Sequence, residues 1–237
     1  MDTEKKHFQE IRDEIAEACY KAGRSASSVR IIGATKFKTA EQILPVIREG
    51  LSEAGENRAQ EFNEKYDFFT EHGVKAHFIG ALQTNKVKYL VGRAALIQSV
   101  DRLELAAEIN RLSMRKQLVQ PILIEVNIGG EEQKSGVAPK ELRDLLSVVS
   151  EMPGVRVSGL MCVPPAVSEA EARVYFARMR ELFQRIAEEN IPNIRMEELS
   201  MGMSGDYKAA VLEGSTMVRI GSALFGARYT AESLPVR

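Results

Sequence analysis

GSTMVRIGSALFG, residues 214–226, sets an apolar run of strand character, 216–220, directly before a Gly-Ser pair. A strand that ends abruptly in Gly221-Ser222, late in an α/β chain, is suited to bind phosphate. The glycine lets the backbone approach closely, and free N–H groups at the start of a following helix favour an anion. Its counterpart lies at the other end of the sequence. VRIIGATK, residues 29–36, is a buried-looking strand with a lysine at its exit.

Between these two stretches strand and helix signals alternate. Residues 3–22 form an amphipathic helix with Phe8, Ile11, Ile15, Ala18 and Ala22 on one face, capped by Gly23. After the first strand, Thr39 and Gln42 make a capping box for a helix that ends at Gly50. Further strands are expected at 51–54, 76–80, 95–100, 120–128, 155–161, 197–200 and 216–220. Helices are expected from Asn57 to about 69, over 84–91, from Asp101 onward, over 139–150, from Ser168 and over 205–213. QPILIEVNI, 120–128, is apolar on both faces, as parallel strands are. Eight strands, each followed by a helix, specify a single (β/α)8 TIM barrel with an extra N-terminal helix. The 237 residues suit one such barrel of typically ~250. No linker or low-complexity segment divides the chain, so 1–237 is expected to be one domain.

Composition narrows the partners. A formal net charge of −1 gives no reason to expect nucleic acid or an acidic membrane surface. Cys19 and Cys162 suit a reducing compartment, and three histidines with no CxxC argue against a protein-built zinc site. The charged start, MDTEKKHFQE, is no signal peptide, and no run of ~18 apolar residues spans a membrane. The expected location is the cytoplasm. Without a strong exposed apolar stripe, the expected state is a monomer.

Reactive residues of such barrels sit at the C-terminal ends of strands. Those positions are Lys36, Asn57, Asn85-Lys86, Asn127, Met161, Ser200 with Ser204, and Gly221-Ser222. A lysine at the end of an apolar strand is partly desolvated, which favours the neutral amine and its attack on an aldehyde. The alternative for Lys36 is a lysine snorkelling over the rim, and Lys38 reads as solvated. Arg219 either sits beside the anion cradle, hydrogen-bonds a heterocycle nitrogen, or forms a core ion pair. Ser200 and Ser204 precede a short helix that can face a phosphate or merely be capped. Together, a desolvated lysine, a phosphate cradle and a planar cation suit pyridoxal 5′-phosphate (PLP) held as a Schiff base.

The sequence resembles the PLP homeostasis protein family over almost its whole length. The resemblance rests on ATK ending at Lys36, GEN at 55–57, HFIGALQTNK at 77–86, QSVDR at 98–102, KSG at 134–136, GLM at 159–161, LSMGMSGD at 199–206 and GSTMVRIGSALFGAR at 214–228. It implies a barrel like the N-terminal domain of alanine racemase, the fold type III of PLP proteins. It implies that Lys36 carries PLP and that Ser200, Gly221 and Ser222 bind its phosphate. Arg219 would lie near the pyridine nitrogen, Asn57 along the pocket, and Met161 beneath or beside the ring. Ala54 stands where the family usually has an aromatic residue.

The reading that follows is a non-catalytic PLP carrier, with PLP-requiring apoenzymes as transient partners at most. Only about 15 residues follow strand eight, and no tyrosine or histidine is placed as a second acid/base. The alternatives are a PLP-dependent racemase or lyase using Lys36 as base, and a cofactor-free Schiff-base aldolase.

Overall fold

The computed structural model describes residues 2–226; Ala227 and Arg228 of the last motif, and the end of the expected 1–237 domain, lie outside them. The chain opens with α1 (Asp2–Lys21) and then runs β1 (Arg30–Ala34), α2 (Ala40–Arg48), β2 (Glu53–Glu56), α3 (Ala59–Glu71) and β3 (Lys75–Phe78). A 3₁₀ helix (Thr84–Tyr89) leads to β4 (Leu96–Val100), α4 (Leu103–Arg115), β5 (Gln120–Glu125) and α5 (Leu142–Val149). The last third holds β6 (Val155–Met161), α6 (Glu169–Glu188), β7 (Ile194–Met203), α7 (Tyr207–Leu212), β8 (Met217–Ile220) and α8 (Ser222–Phe225). The eight strands are parallel and close in sequence order into a barrel. Closure is made by β1 against β8, with Ile32 opposite Arg219 and Gly33 opposite Ile220.

Because side chains alternate along a strand, every second residue enters the barrel. From floor to rim, β1 supplies Arg30, Ile32 and Ala34; β2 supplies Glu53, Gly55 and Asn57; β8 supplies Met217, Arg219 and Gly221. Ile32, Leu96, Leu123, Met161 and Met217 form a small apolar cluster there, apart from the large core under the helices. The barrel interior is unusually polar beside the branched aliphatic layers common in such folds. Glu53, His77, Gln98, Glu125, Ser200 and Arg219 are all buried. Outside, α1 packs against α2, α7 and α8, burying Phe8, Ile11, Ile15 and Ala18, and Tyr207 of α7 donates to Glu14. The extra helix thus backs the last two helices of the barrel.

Several expected boundaries shift for physical reasons. The second strand is 53–56 rather than 51–54. Gly55, just past the expected strand, lies within the observed one, where a Cβ would come within 2.8 Å of Ile79 Cδ1. Thr84–Tyr89 is a 3₁₀ turn and not an α-helix over 84–91. Pro139 precedes α5 instead of opening it, since that helix begins at Leu142. The seventh strand is 194–203 rather than 197–200, so Ser200 lies inside the strand and not at its exit. The capping box at Thr39 is present, with the Thr39 N–H donating to Gln42 Oε1 at 3.0 Å. No helix among the described residues is long and apolar enough to cross a membrane.

Gly159 marks where β6 and β7 come closest. Its φ is +149°, and a Cβ there would meet Glu198 O at 1.8 Å. Gly159→Ala is therefore expected to destabilise the protein by about 4 kcal/mol or more, read from urea unfolding. A variant within about 1 kcal/mol of wild type would mean the two strands can part freely.

Candidate functional site

At the C-terminal rim, strand exits surround a cavity of about 450 Å³. Its wall is formed by Ala34, Lys36 and Lys38 after β1, Asn57 after β2, and Ile79 after β3. Val163, Met203, Ser204 and Gly205 continue it after β6 and β7, and Arg219, Gly221, Ser222 and Gly226 complete it. Lys36 and Asn57 are half-buried.

One lysine of α3 fixes the first two exits together. Lys65 Nζ donates to Thr35 O and to Glu56 Oε1, each at 2.7 Å. Thr35 Oγ1 donates to the same carboxylate oxygen at 2.6 Å. Burial raises the Glu56 carboxyl above its ordinary range, against the pull of Lys65 and Thr35. Lys36 and Asn57 each directly follow a member of this cluster. On the far side of Asn57, a Cβ on Gly80 would fall 2.3 Å from Asn57 O. The glycine of HFIG is thus what lets the β3 exit close on Asn57. The Asn57 Oδ1 is buried without a hydrogen-bond partner among the described residues.

The Gly-Ser turn has the donor geometry the sequence suggested. The N–H groups of Gly221 and Ala223 converge on Ser204 Oγ at 3.1 and 3.2 Å. Two backbone donors aimed at one oxygen are an anion cradle. Asp206 shapes the loop that carries Ser204, accepting from the Met203 N–H at 2.6 Å. Lys38 is not the solvated lysine it resembled: its Nζ donates to Phe225 O at 2.8 Å and tethers the short α8.

Arg219 is 4% exposed. Its Nη1 donates to Ser200 Oγ at 2.6 Å and its Nη2 to Cys162 O at 2.8 Å. No carboxylate among the described residues forms an ion pair with it, which sets aside the core ion-pair reading. Burial pushes its pKa down, against the fields of Cys162, Glu125 and Asp206. A guanidinium carries five N–H donors and no acceptor, so the ligand atom it faces in the cavity must be an acceptor.

Six of the expected residues therefore meet on one wall: Lys36, Asn57, Ser204, Arg219, Gly221 and Ser222. Two do not. Ser200 is fully buried between Arg219 and Gln98, so it holds the arginine where it was expected to bind phosphate. Met161 lies in the apolar cluster inside the barrel. Asn127 bonds its own loop, donating to Glu131 O at 2.8 Å, and Lys86 belongs to a neighbouring groove with Tyr89. Arg102 of QSVDR donates to Leu82 O at 3.0 Å and so pins the loop of ALQT. Cys162 is buried and its thiol is pushed up to about 12, chiefly by burial, which keeps it inert. No His, Cys, Asp and Glu group among the described residues could hold a metal.

A closed parallel barrel whose rim joins a strand-end lysine, a glycine-turn cradle and a buried arginine gathers cationic groups and N–H donors in one cavity. The family model described as alanine racemase, N-terminal domain, matches residues 9–229. A pyridoxal phosphate homeostasis protein of Aquifex aeolicus is 45% identical over 219 residues, 92% of this chain and 95% of its own length. Among solved structures, an unknown protein from Bifidobacterium adolescentis gives a TM-score of 0.89 at 33% identity, covering 94% of each chain. PipY of Synechococcus elongatus PCC7942, with PLP bound, gives 0.78 at 32% identity, covering 90% of this chain and 100% of its own. The chain belongs to the alanine racemase N-terminal-domain family, within its pyridoxal phosphate homeostasis proteins.

Sequence reasoning missed Glu125, although an acidic residue inside QPILIE signals it. Burial, then the charge of Asp101, raises its carboxyl to about 7, against Arg219. The folded state then holds this proton more tightly than the unfolded one, whose carboxyl keeps the ordinary value of 4.5. Stability from this group is full below about pH 4.5 and is lost as pH rises to about 7. Glu125→Gln is expected to gain up to about 3 kcal/mol over wild type at pH 8, and nothing at pH 4. Thermal melts of both proteins at the two pH values make the check; equal melts at pH 8 would refute it.

Proposed function

We propose that this protein binds PLP in the rim cavity and holds it as a Schiff base on Lys36, as a carrier in PLP homeostasis. The observation that carries this reading is the meeting of Lys36, Arg219 and the Gly221 cradle on one cavity wall. The phosphate takes the backbone donors of the Gly221-Ser222 turn, with Ser204 beside them. Arg219 donates to the ring nitrogen, and the unpartnered Asn57 amide meets the ring. Bound PLP supplies an aldehyde for the lysine and a ring that can accept electrons. A donor-only partner at the ring nitrogen keeps that nitrogen unprotonated and weakens the second property.

The lining supports a carrier over a racemase or lyase. Besides Lys36, Lys38 and Arg219, the described lining residues include no side chain that titrates, and Lys38 is engaged with Phe225 O. Proton transfer on both faces of a substrate needs two positioned groups. The aldolase reading leaves Arg219, and the heterocycle nitrogen it would face, without a purpose. The same proposal places the protein in the cytoplasm as a monomer that meets PLP-requiring apoenzymes transiently; the two buried, free cysteines support the reducing location.

The protein with PLP should show a visible absorption band that Lys36→Ala abolishes, and borohydride should fix the label on Lys36. Label on another lysine would overturn the assignment. Turnover of D- and L-amino acids at about 1 s⁻¹ or faster would replace the carrier with the racemase. Gly221→Ala separates ligand contact from folding, since its Cβ meets nothing closer than Ala34 Cβ at 3.5 Å. Its melting temperature should stay close to wild type while PLP affinity falls about tenfold, the effect of one misplaced charge-assisted bond. Unchanged affinity would move the phosphate elsewhere.

A further inference from the structure

A chain of buried polar side chains runs through the barrel from the rim to the floor. Arg219 Nη1 lies 2.6 Å from Ser200 Oγ, and Ser200 Oγ lies 2.7 Å from Gln98 Oε1. Gln98 Nε2 is 3.1 Å from His77 Nδ1, and His77 Nε2 is 3.1 Å from Glu53 Oε2. The strands contributing these residues are β8, β7, β4, β3 and β2. All five residues are buried.

The direction of every bond is forced by the arginine. A guanidinium only donates, so Ser200 Oγ accepts from it and its hydroxyl hydrogen goes to Gln98 Oε1. The Gln98 amide nitrogen must then face His77, whose Nδ1 accepts. That leaves the ring proton on Nε2, opposite Glu53. This last contact is off the hydrogen-bond line, so Nε2 meets the carboxylate as a dipole beside a charge. Glu53 is a fixed anion. Arg30 binds it at 3.1 Å and also pairs with Glu198. Burial alone would raise the Glu53 carboxyl, but its neighbours, Arg30 among them, outweigh it and hold it below the ordinary range. A cation under the rim and an anion at the floor are thus joined by three groups whose dipoles point the same way.

We propose that Gln98 and His77 are positioning residues for the cofactor: through Ser200 they fix the rotation of the Arg219 guanidinium, and so the direction of the donor it offers to the PLP ring nitrogen. This rests on the reading that Arg219 faces that nitrogen. Neither residue lines the rim cavity, and their effect is exerted from beneath it. QSVDR thereby acquires a second role, since Gln98 begins the motif whose Arg102 pins the loop above.

Two measurements test it. The first needs no variant beyond a marker: imidazole ¹⁵N shifts of the wild-type protein at pH 8, with His77→Asn identifying the signal among three histidines. The Nε2–H tautomer of His77 is expected, with or without added PLP. An Nδ1–H tautomer or a doubly protonated ring would reverse the chain and overturn the proposal.

The second measurement is PLP affinity, titrated by visible absorbance with melting temperature as a folding control. Gln98→Leu and Ser200→Ala should each weaken PLP roughly tenfold, and the double variant should be little worse than either, because both cut one chain. Gln98→Glu keeps an acceptor for Ser200 but offers no N–H to His77, and should lose about threefold. If Gln98→Leu does not fold, Gln98→Glu and His77→Asn carry the same comparison. Arg219→Gln separates the two readings. If it weakens PLP while folded Gln98 variants bind as wild type, the chain plays no part. If Arg219→Gln also binds as wild type, the ring-nitrogen contact itself is wrong and the proposal falls with it.

Discussion

Everything at the rim depends on the pairing of the first strand with the last. Hydrogen bonding of β1 to β8 sets Gly33 beside Ile220, so the strand exits that follow are neighbours. Lys36 and Gly221 come from opposite ends of the sequence, and only closure of the sheet puts them on one wall. An open sheet with the same eight strands would leave them at opposite edges. The barrel is in this sense the condition for the site, and α1 reinforces it by packing on α8, the helix that the cradle begins.

Closure also creates the second problem the sequence has to solve, which is the charge of Arg219. A cation in a low-dielectric interior needs compensation, and no carboxylate among the described residues pairs with this one directly. A paired carboxylate would occupy the donors that the cavity requires. The protein places its anions away from the guanidinium instead. Glu53 lies at the floor behind three intervening groups, while the Glu125 and Asp206 carboxyls influence Arg219 through space. The polar barrel interior follows from that choice. Its counterpart is a smaller apolar core within the strands, and the large core lies between sheet and helices.

How much of this could be read from the sequence depended on whether local pattern and tertiary contact agreed. The expected sixth strand, 155–161, matches β6 because an apolar run and its flanking turns coincide. The expected second strand, 51–54, stops short of Gly55, whereas this glycine lies within β2 and marks close approach to Ile79 after the neighbouring strand. Ser200 misled for a related reason. It was expected at the exit of a strand ending at 200, but β7 continues past it, and period two then points it inward to Arg219. Lys36, Arg219 and the Gly221-Ser222 turn were legible because each stands at the end of an apolar strand. Gln98, Lys38 and Lys65 were not, since their roles are to hold other residues and depend on neighbours distant in the chain.

Ser204 gives the cradle an acceptor of its own. Its hydroxyl satisfies the N–H groups of Gly221 and Ala223 from within the chain. On the proposed reading, an arriving phosphate would compete with an acceptor already supplied, and a departing one would be replaced by it. The two donors would then have a partner at every stage of exchange, which lowers the barrier in both directions. Residence time, more than affinity, would be the quantity this single hydroxyl governs.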